Sequence, residues 1–288
     1  MARSCFLPPF NRERRRSPNF TALFIIFSTI CATTNTGIVE SLQITMGWSA
    51  TWKDILNGGN PRWKVTDLSS KKIALGHIMH ASKEDGVASS PSLNILCPLA
   101  GDDEFVHHAW TKGHRVVAID LVPAAVEAMR NQFSVANDGD GSDDGGNCWL
   151  KEERSGGTVV WRHGSGTVTL YESDMLAPLP ELEGTFDAVY DKDSFGALDL
   201  HMRPKYCERI AAYVKPGAGI LYAEVKYKDV DGPGRKSGPP YHVEKEDLME
   251  QGNFGAAFEY VAGLGELYKL TIPGVRQTGH ILRRCARK

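Results

Sequence analysis

Three acidic positions in this chain stand where strand-like apolar runs end. Residues 93–96 lead into Cys97-Pro98-Leu99-Ala100-Gly101-Asp102, residues 115–119 end in Asp120, and residues 167–171 lead into Ser173-Asp174-Met175. In an open parallel sheet, ligands sit beyond the carboxyl ends of the strands, where the winding reverses. A glycine after the first strand lets the backbone approach a ligand more closely than a side chain allows. A carboxylate about 20 residues further on, at the end of the second strand, accepts both hydroxyls of a ribose. Asp174 and Met175 offer an edge acceptor and an apolar face for an adenine. Each signal is weak alone, since a strand-ending Asp is often a helix cap. Their order along alternating elements points to an adenosine-bearing ligand.

The ligand carries no pyrophosphate. Gly101 has no glycine partners in its loop, so the G-x-G-x-x-G dinucleotide fingerprint is absent. Asp102, Asp103 and Glu104 place negative charge where a phosphate-binding helix start needs the opposite. This disfavours a nicotinamide-dependent oxidoreductase. An adenosine cofactor bearing a sulfonium and an ammonium, S-adenosylmethionine, suits the loop. No metal is called for.

The elements that must position these residues alternate. Residues 103–112 read as a helix stopped by Gly113, and residues 115–120 as a β-branched strand. Pro123 opens a helix where proline costs no hydrogen bond. Residues 157–161 and 167–171 flank a turn at 163–166, a hairpin leading into the third strand. Residues 186–191 and 219–225 read as further strands around a helix at 203–214, which ends at Pro216-Gly217. Short strands near 267–270 and 280–282 close the sheet. The expected fold is α/β: a Rossmann-like, doubly wound, mostly parallel sheet with an antiparallel edge, in a single domain over 46–288. Residues 137–147 form a flexible loop. Its aspartates lack the terminal Glu of a calcium-binding loop.

The chain has 288 residues, 33 Lys+Arg against 35 Asp+Glu, and a formal net charge of −2. That balance gives no basic face for nucleic acid, so a small molecule is the expected partner and a monomer the expected state. The 6 cysteines show no zinc spacing; Cys97 and Cys207 are read as buried free thiols, and no disulfide framework is expected. Residues 1–45 read as a targeting or disordered segment. Arg12, Arg14, Arg15 and Arg16 precede an apolar run at 20–32 and a small, hydroxylated tail. That is the layout of a secretory or organellar signal, with an apolar run too short to cross a bilayer. A retained anchor, an unprocessed cytoplasmic tail and a start at Met46 remain alternatives.

Several blocks, in order, resemble the thiopurine S-methyltransferase family of class I methyltransferases. Cys97-Pro98-Leu99-Ala100-Gly101, Gly113-His114 and Val117-Ala118-Ile119-Asp120 are similar to its V-P-L-C-G-K … G-H-x-V-x-G-x-E block. Tyr190-Asp191-Lys192 stands where the family often has Y/W-D-R, followed by Met202-Arg203. Gly238-Pro239-Pro240-Tyr241 matches G-P-P-[FY], and Trp48-x-x-x-Trp52 with Trp63 resembles the upstream aromatic block. Halide/thiol methyltransferases share much of this. The resemblance implies S-adenosylmethionine as cofactor, bound by Leu99, Gly101, Asp120, Leu121, Asp174 and Met175 and covered by Trp48 and Trp52. Trp63 and Lys192 would meet the acceptor, with Lys192 and Asp191 as catalytic candidates. The acceptor is then a small thiol or thiopurine, or a halide, thiocyanate or metalloid. A non-catalytic cofactor-binding relative is a further alternative. The bland reading makes the tryptophans packing anchors and Asp191, Lys192 and Asp193 a surface ion cluster. The chain departs from the family at Asp102 (its Lys), Phe105 (an acidic residue) and Lys192 (its Arg).

Overall fold

A computed structural model describes residues 50–57, 59, 67–83, 92–133, 148–232 and 235–286. The segment 1–45, Trp48, Trp63 and the loop 137–147 lie outside the described residues. Every described element belongs to one unit, Gly47–Lys288.

Among the described residues, nine strands form one sheet. Its centre is parallel: β5 (Val168–Glu172), β2 (Arg115–Asp120), β1 (Asn94–Pro98), β6 (Ala188–Lys192) and β7 (Ile220–Lys228), side by side in that order. Beside β5 lie β4 (Val159–His163) and then β3 (Trp149–Glu153), both joined antiparallel. Beyond β7 lie β9 (Val275–Arg284) and then β8 (Phe258–Lys269), again antiparallel. The winding reverses at β1, which has β2 on one side and β6 on the other. The sheet is therefore doubly wound, with antiparallel strands at both edges rather than one.

The two faces follow from strand alternation. On one face, Ile95, Cys97, Val116, Ala118, Tyr190 and Tyr222 pack under α2 (Leu68–Lys83), α3 (Phe105–Thr111) and α4 (Pro123–Asn131). On the other, Leu96, Ile119, Val189, Leu221 and Val225 meet α6 (Arg203–Tyr213) and α7 (Lys245–Met249). The α6 face buries Tyr206, Cys207, Ile210 and Tyr213, an i, i+1, i+4, i+7 stripe. Each fully buried large apolar side chain of this kind contributes roughly 1.5–3 kcal/mol. Pro123 is at the first turn of α4, as its chemistry requires.

Six elements differ from expectation. The first helix turn is shorter, because Asp103 accepts the Phe105 N–H at 2.8 Å and so starts α3 two residues later. The closing strands are far longer than 267–270 and 280–282. Register shifts along β8 and glycines at 263, 265 and 279 interrupt the alternation that would mark them in sequence. Strand β3 and helix α2 were not anticipated. Strand β3 buries only Trp149, and the hidden face of α2 includes Ser70 and Lys71 beside Ala74, Leu75 and Ile78. A short helix over 50–56 (α1) precedes α2. No helix among the described residues is long and apolar enough to cross a membrane.

Candidate functional site

The chain turns sharply where β1 ends. Leu99 (φ 44°) and Gly101 (φ 57°) both adopt left-handed backbone, a conformation a leucine holds only when its surroundings impose it. The turn directs the Gly101 N–H to Asp120 Oδ2 at 2.8 Å, while Ala100 N donates to Ile119 O at 3.2 Å. Asp120 Oδ1 accepts the Val122 N–H at 2.9 Å. One carboxylate thus ties the first loop to the second. Asp120 is 8% exposed, and burial raises its pKa against the lowering effect of its backbone donors. The Leu121 N–H is a third backbone donor to the carboxylate, whose remaining acceptor capacity is open to a ligand. Leu121 is half-buried.

Trp52, on α1, is buried against Val122 and Ala125. A Cβ on Gly101 would stand 3.4 Å from its ring. The loop and the tryptophan are therefore fitted to each other, so the packing role read for Trp52 is present. At the end of β5, Ser173 N donates to Asp120 O at 2.9 Å, which sets Ser173-Asp174 beside Asp120. Asp174 caps its own turn through Leu176 N at 2.8 Å. Met175 is buried in the core on the α6 face.

Across the winding reversal, Ser194 Oγ donates to Pro98 O at 2.8 Å and joins the ends of β6 and β1. Ser194 opens α5 (Ser194–Ala197). Asp191 is wholly buried. It accepts the Ser194 and Phe195 N–H groups at 2.9 and 3.2 Å and the Tyr206 hydroxyl at 2.7 Å. Burial pushes its pKa up to about 6 despite these donors. Asp191, read as a catalytic candidate, is thus occupied in holding α5 and α6 onto β6.

Lys192 sits in a chain of alternating charges rather than in a surface cluster. Lys71 Nζ, 1% exposed on α2, donates to Asp103 Oδ2 at 2.8 Å. That carboxylate oxygen is 3.9 Å from Lys192 Nζ, which lies 3.8 Å from Asp193 Oδ2. Asp193 Oδ2 is 3.2 Å from Lys226 Nζ, and Gln277 Nε2 donates to Asp193 Oδ1 at 3.0 Å. Glu224, buried beside them, accepts hydroxyl bonds from Tyr222 and Tyr268. Burial works to lower the Lys192 pKa, but Asp193, Asp103 and Glu224 outweigh it and the pKa is raised. For Asp193, burial is outweighed by Lys226 and Lys192 and the pKa is lowered. Glu224 is the exception: burial prevails and raises its pKa.

The structure therefore places Gly101, Asp120 and Asp174 on one side of the reversal at the carboxyl end of the sheet, and Lys192 on the other. Residues missed in sequence are Lys71, Glu224, Lys226 and Gln277, and the sequence reads Asp193 only as part of a surface ion cluster. One signal existed: Glu224, Lys226 and Lys228 alternate with Val225 and Tyr227 in β7, a charged stripe on one face of a central strand. The loop fits a cofactor with ribose hydroxyls and cationic groups. It offers carboxylate acceptors, and Asp102 and Asp103 stand at its helix start.

The family model described as thiopurine S-methyltransferase matches residues 75–266. A thiopurine S-methyltransferase of Legionella pneumophila is 26% identical over 170 residues, covering 57% of this chain and 68% of the relative. One from Pseudomonas putida is 25% identical over 163 residues, covering 56% and 66%. Among solved structures, the [4+2]-cyclase SpnF superposes with a TM-score of 0.56 at 11% identity, covering 86% of this chain and 97% of that one. The N-methyltransferase NodS of Bradyrhizobium japonicum, in complex with S-adenosyl-L-homocysteine, gives 0.53 at 12% identity, covering 82% and 97%. These two likenesses concern the fold, which one of them uses for a cyclisation. The family match concerns the chain itself, which belongs to the thiopurine S-methyltransferase family and is an S-adenosylmethionine-dependent methyltransferase.

Proposed function

We propose that this methyltransferase acts on the sulfur of a small thiol or thiopurine-type acceptor, by in-line displacement. The observation that carries the reading is the pair of unlike half-sites joined at the β1–β6 reversal by Ser194 Oγ and Pro98 O. When bound, S-adenosylmethionine supplies an electrophilic methyl group on a sulfonium. Asp120 accepts ribose hydroxyls with the acceptor sites its backbone donors leave open, Asp174 takes the adenine edge, and Leu99, Gly101 and Leu121 line the loop. Asp102 faces the cationic end. Trp52 closes over Gly101. Lys192 orients the acceptor sulfur. What catalysis such a site requires is alignment of nucleophile, methyl and leaving sulfur in a water-poor cleft. The thiol proton leaves to solvent.

Isothermal calorimetry of the full chain with S-adenosylhomocysteine, followed by labelled methyl transfer to thiols, halides and metalloids, tests this directly. Micromolar binding and transfer to thiols are expected. Binding without transfer to any thiol rejects the acceptor, and no binding rejects the half-site assignment.

A further inference from the structure

Of the three carboxylates at the acceptor half-site, Asp103, Asp193 and Glu224, only Glu224 has both oxygens held by hydroxyls rather than by a cation. It stands opposite Lys192 in the β6–β7 pairing. Tyr222 Oη donates to its Oε2 at 3.2 Å, and Tyr268 Oη donates to its Oε1. Lys192 and Lys71 act on it from β6 and α2, and Asp193 adds a like charge. His77 of α2 stacks on the Tyr222 ring. Glu224 is 2% exposed and Tyr222 1%, so neither meets a ligand directly. Tyr268, near the end of β8, is only half-buried. Its phenol gives its one hydrogen to Glu224 and keeps an acceptor position on the oxygen, to which none of the described residues donates.

The charges on this face set what the site needs during turnover. Lys71, Lys192 and Lys226 are matched by Asp103, Asp193 and Glu224. Methyl transfer converts a cationic sulfonium into a neutral thioether. If the acceptor's proton left at once for water, the cleft would end with one negative charge unmatched, and an uncompensated buried charge is costly. If a carboxylate of the site takes the proton instead, the net charge is the same before and after. Glu224 is the carboxylate suited to that task, because burial raises its pKa. For Asp193, burial is outweighed by Lys226 and Lys192, and that group stays ionised.

We infer that Tyr268 and Glu224 form a proton relay for the methyl acceptor, in which Tyr268 receives the acceptor's proton and Glu224 holds it. The inference rests on the thiol-acceptor reading above and goes beyond it by giving the departing proton a route. As a sulfur lone pair forms the new C–S bond, the methyl–sulfonium bond breaks with its pair to the cofactor sulfur. The S–H proton passes to Tyr268 Oη while the Tyr268 hydroxyl proton passes to Glu224 Oε1. Tyr268 ends unchanged and Glu224 ends as a neutral acid. Once the products leave, the same relay in reverse delivers the proton to solvent. Tyr268 meets the acceptor, and Glu224 acts through it.

The test compares kcat/KM for two thiols in the wild type, Tyr268→Phe and Glu224→Gln. One is 2-mercaptoethanol, an aliphatic thiol that is mostly protonated at neutral pH. The other is 4-nitrothiophenol, which is ionised there and so has no proton to move. The ratio of the first rate to the second should fall by about 100-fold in each variant. The double variant should lose little more than either single one, because the two groups act as a unit. Tyr268→Phe removes a single hydroxyl, and unchanged S-adenosylhomocysteine affinity in calorimetry confirms that the variants are folded. An unchanged ratio in folded variants overturns the relay, whether both rates fall or neither does. If no thiol is methylated while S-adenosylhomocysteine binds, the thiol reading itself fails. The carboxyl band of Glu224, taken as the infrared difference between wild type and Glu224→Gln, then decides on the relay alone. Loss of the Tyr268 donor should move its titration to higher pH in Tyr268→Phe, and an unmoved midpoint overturns the relay.

Discussion

The two halves of the site are built in different materials. Around β1, β2 and β5 the chain uses its own backbone: Asp120 is held by the N–H groups of Gly101 and Val122, and Ser173 N closes onto Asp120 O. Around β6, β7 and β9 it uses side chains of opposite charge, drawn from α2, the start of α3 and three strands. Backbone donors cannot be exchanged by a point mutation, so the first half can stay the same while sequences diverge. A chain of buried side-chain ions can be rewired one residue at a time. On the proposed function, the backbone-tied half receives the cofactor and the ion-chain half meets the acceptor.

The largest effect that would break this contrast lies at Lys71. Lys71→Met leaves Asp103 partly buried without its nearest cation, a kind of change that costs about 3–5 kcal/mol. Thermal unfolding should report a large drop, and Asp103→Asn added to Lys71→Met should restore most of it, because the uncompensated charge is then gone. If the single variant is as stable as wild type, the ion chain is decorative and the second half is held by packing alone.

The next effect belongs to the cofactor half. Asp120→Ala removes two charge-assisted acceptor positions and frees the first loop from the second. It should weaken S-adenosylhomocysteine binding by about 100-fold or more in calorimetry. Lys192→Met should leave that affinity within about threefold and act on acceptor kcat/KM instead. A Lys192→Met variant that loses cofactor as severely as Asp120→Ala would merge the two halves into one.

The same contrast governs what the sequence discloses. Gly101 and Asp120 are legible because the local rules that shape them, a left-handed turn and a strand end, act over a few residues. Strands β1, β2, β6 and β7 and helices α4 and α6 are legible for the same reason. Lys71, Asp193, Lys226 and Gln277 meet only because β6 pairs with β7 and β7 with β9, while α2 packs over β7 and β6. No spacing along the chain encodes that meeting. Helix α2 escaped notice because its buried face carries a lysine, and β8 because its register shifts interrupt the period of two. Asp191 shows the same limit from another side. A carboxylate beside a lysine at a strand end looks catalytic in one dimension, whereas its three donors arrive from α5 and α6.

The smallest effect concerns that residue, which lies at the seam between the halves. Burial lifts the Asp191 carboxyl from its ordinary 3.8 to about 6. Between those values the folded protein keeps a proton that the unfolded chain releases, so this group's contribution to stability is full below about pH 4 and falls as pH rises through 6. Asp191→Asn removes the titration while retaining an oxygen for the Ser194 and Phe195 N–H groups and letting the amide donate to the Tyr206 hydroxyl. The stability difference, wild type minus variant, is therefore expected to decline by about 1 kcal/mol between pH 5 and pH 7, measured by urea unfolding at each pH. The histidines titrate in both proteins and cancel in the difference. A flat difference would mean that the three donors hold Asp191 ionised throughout. The seam would then be another closed ion site like the Asp193 half, rather than a hydrogen-bonded hinge between unlike halves.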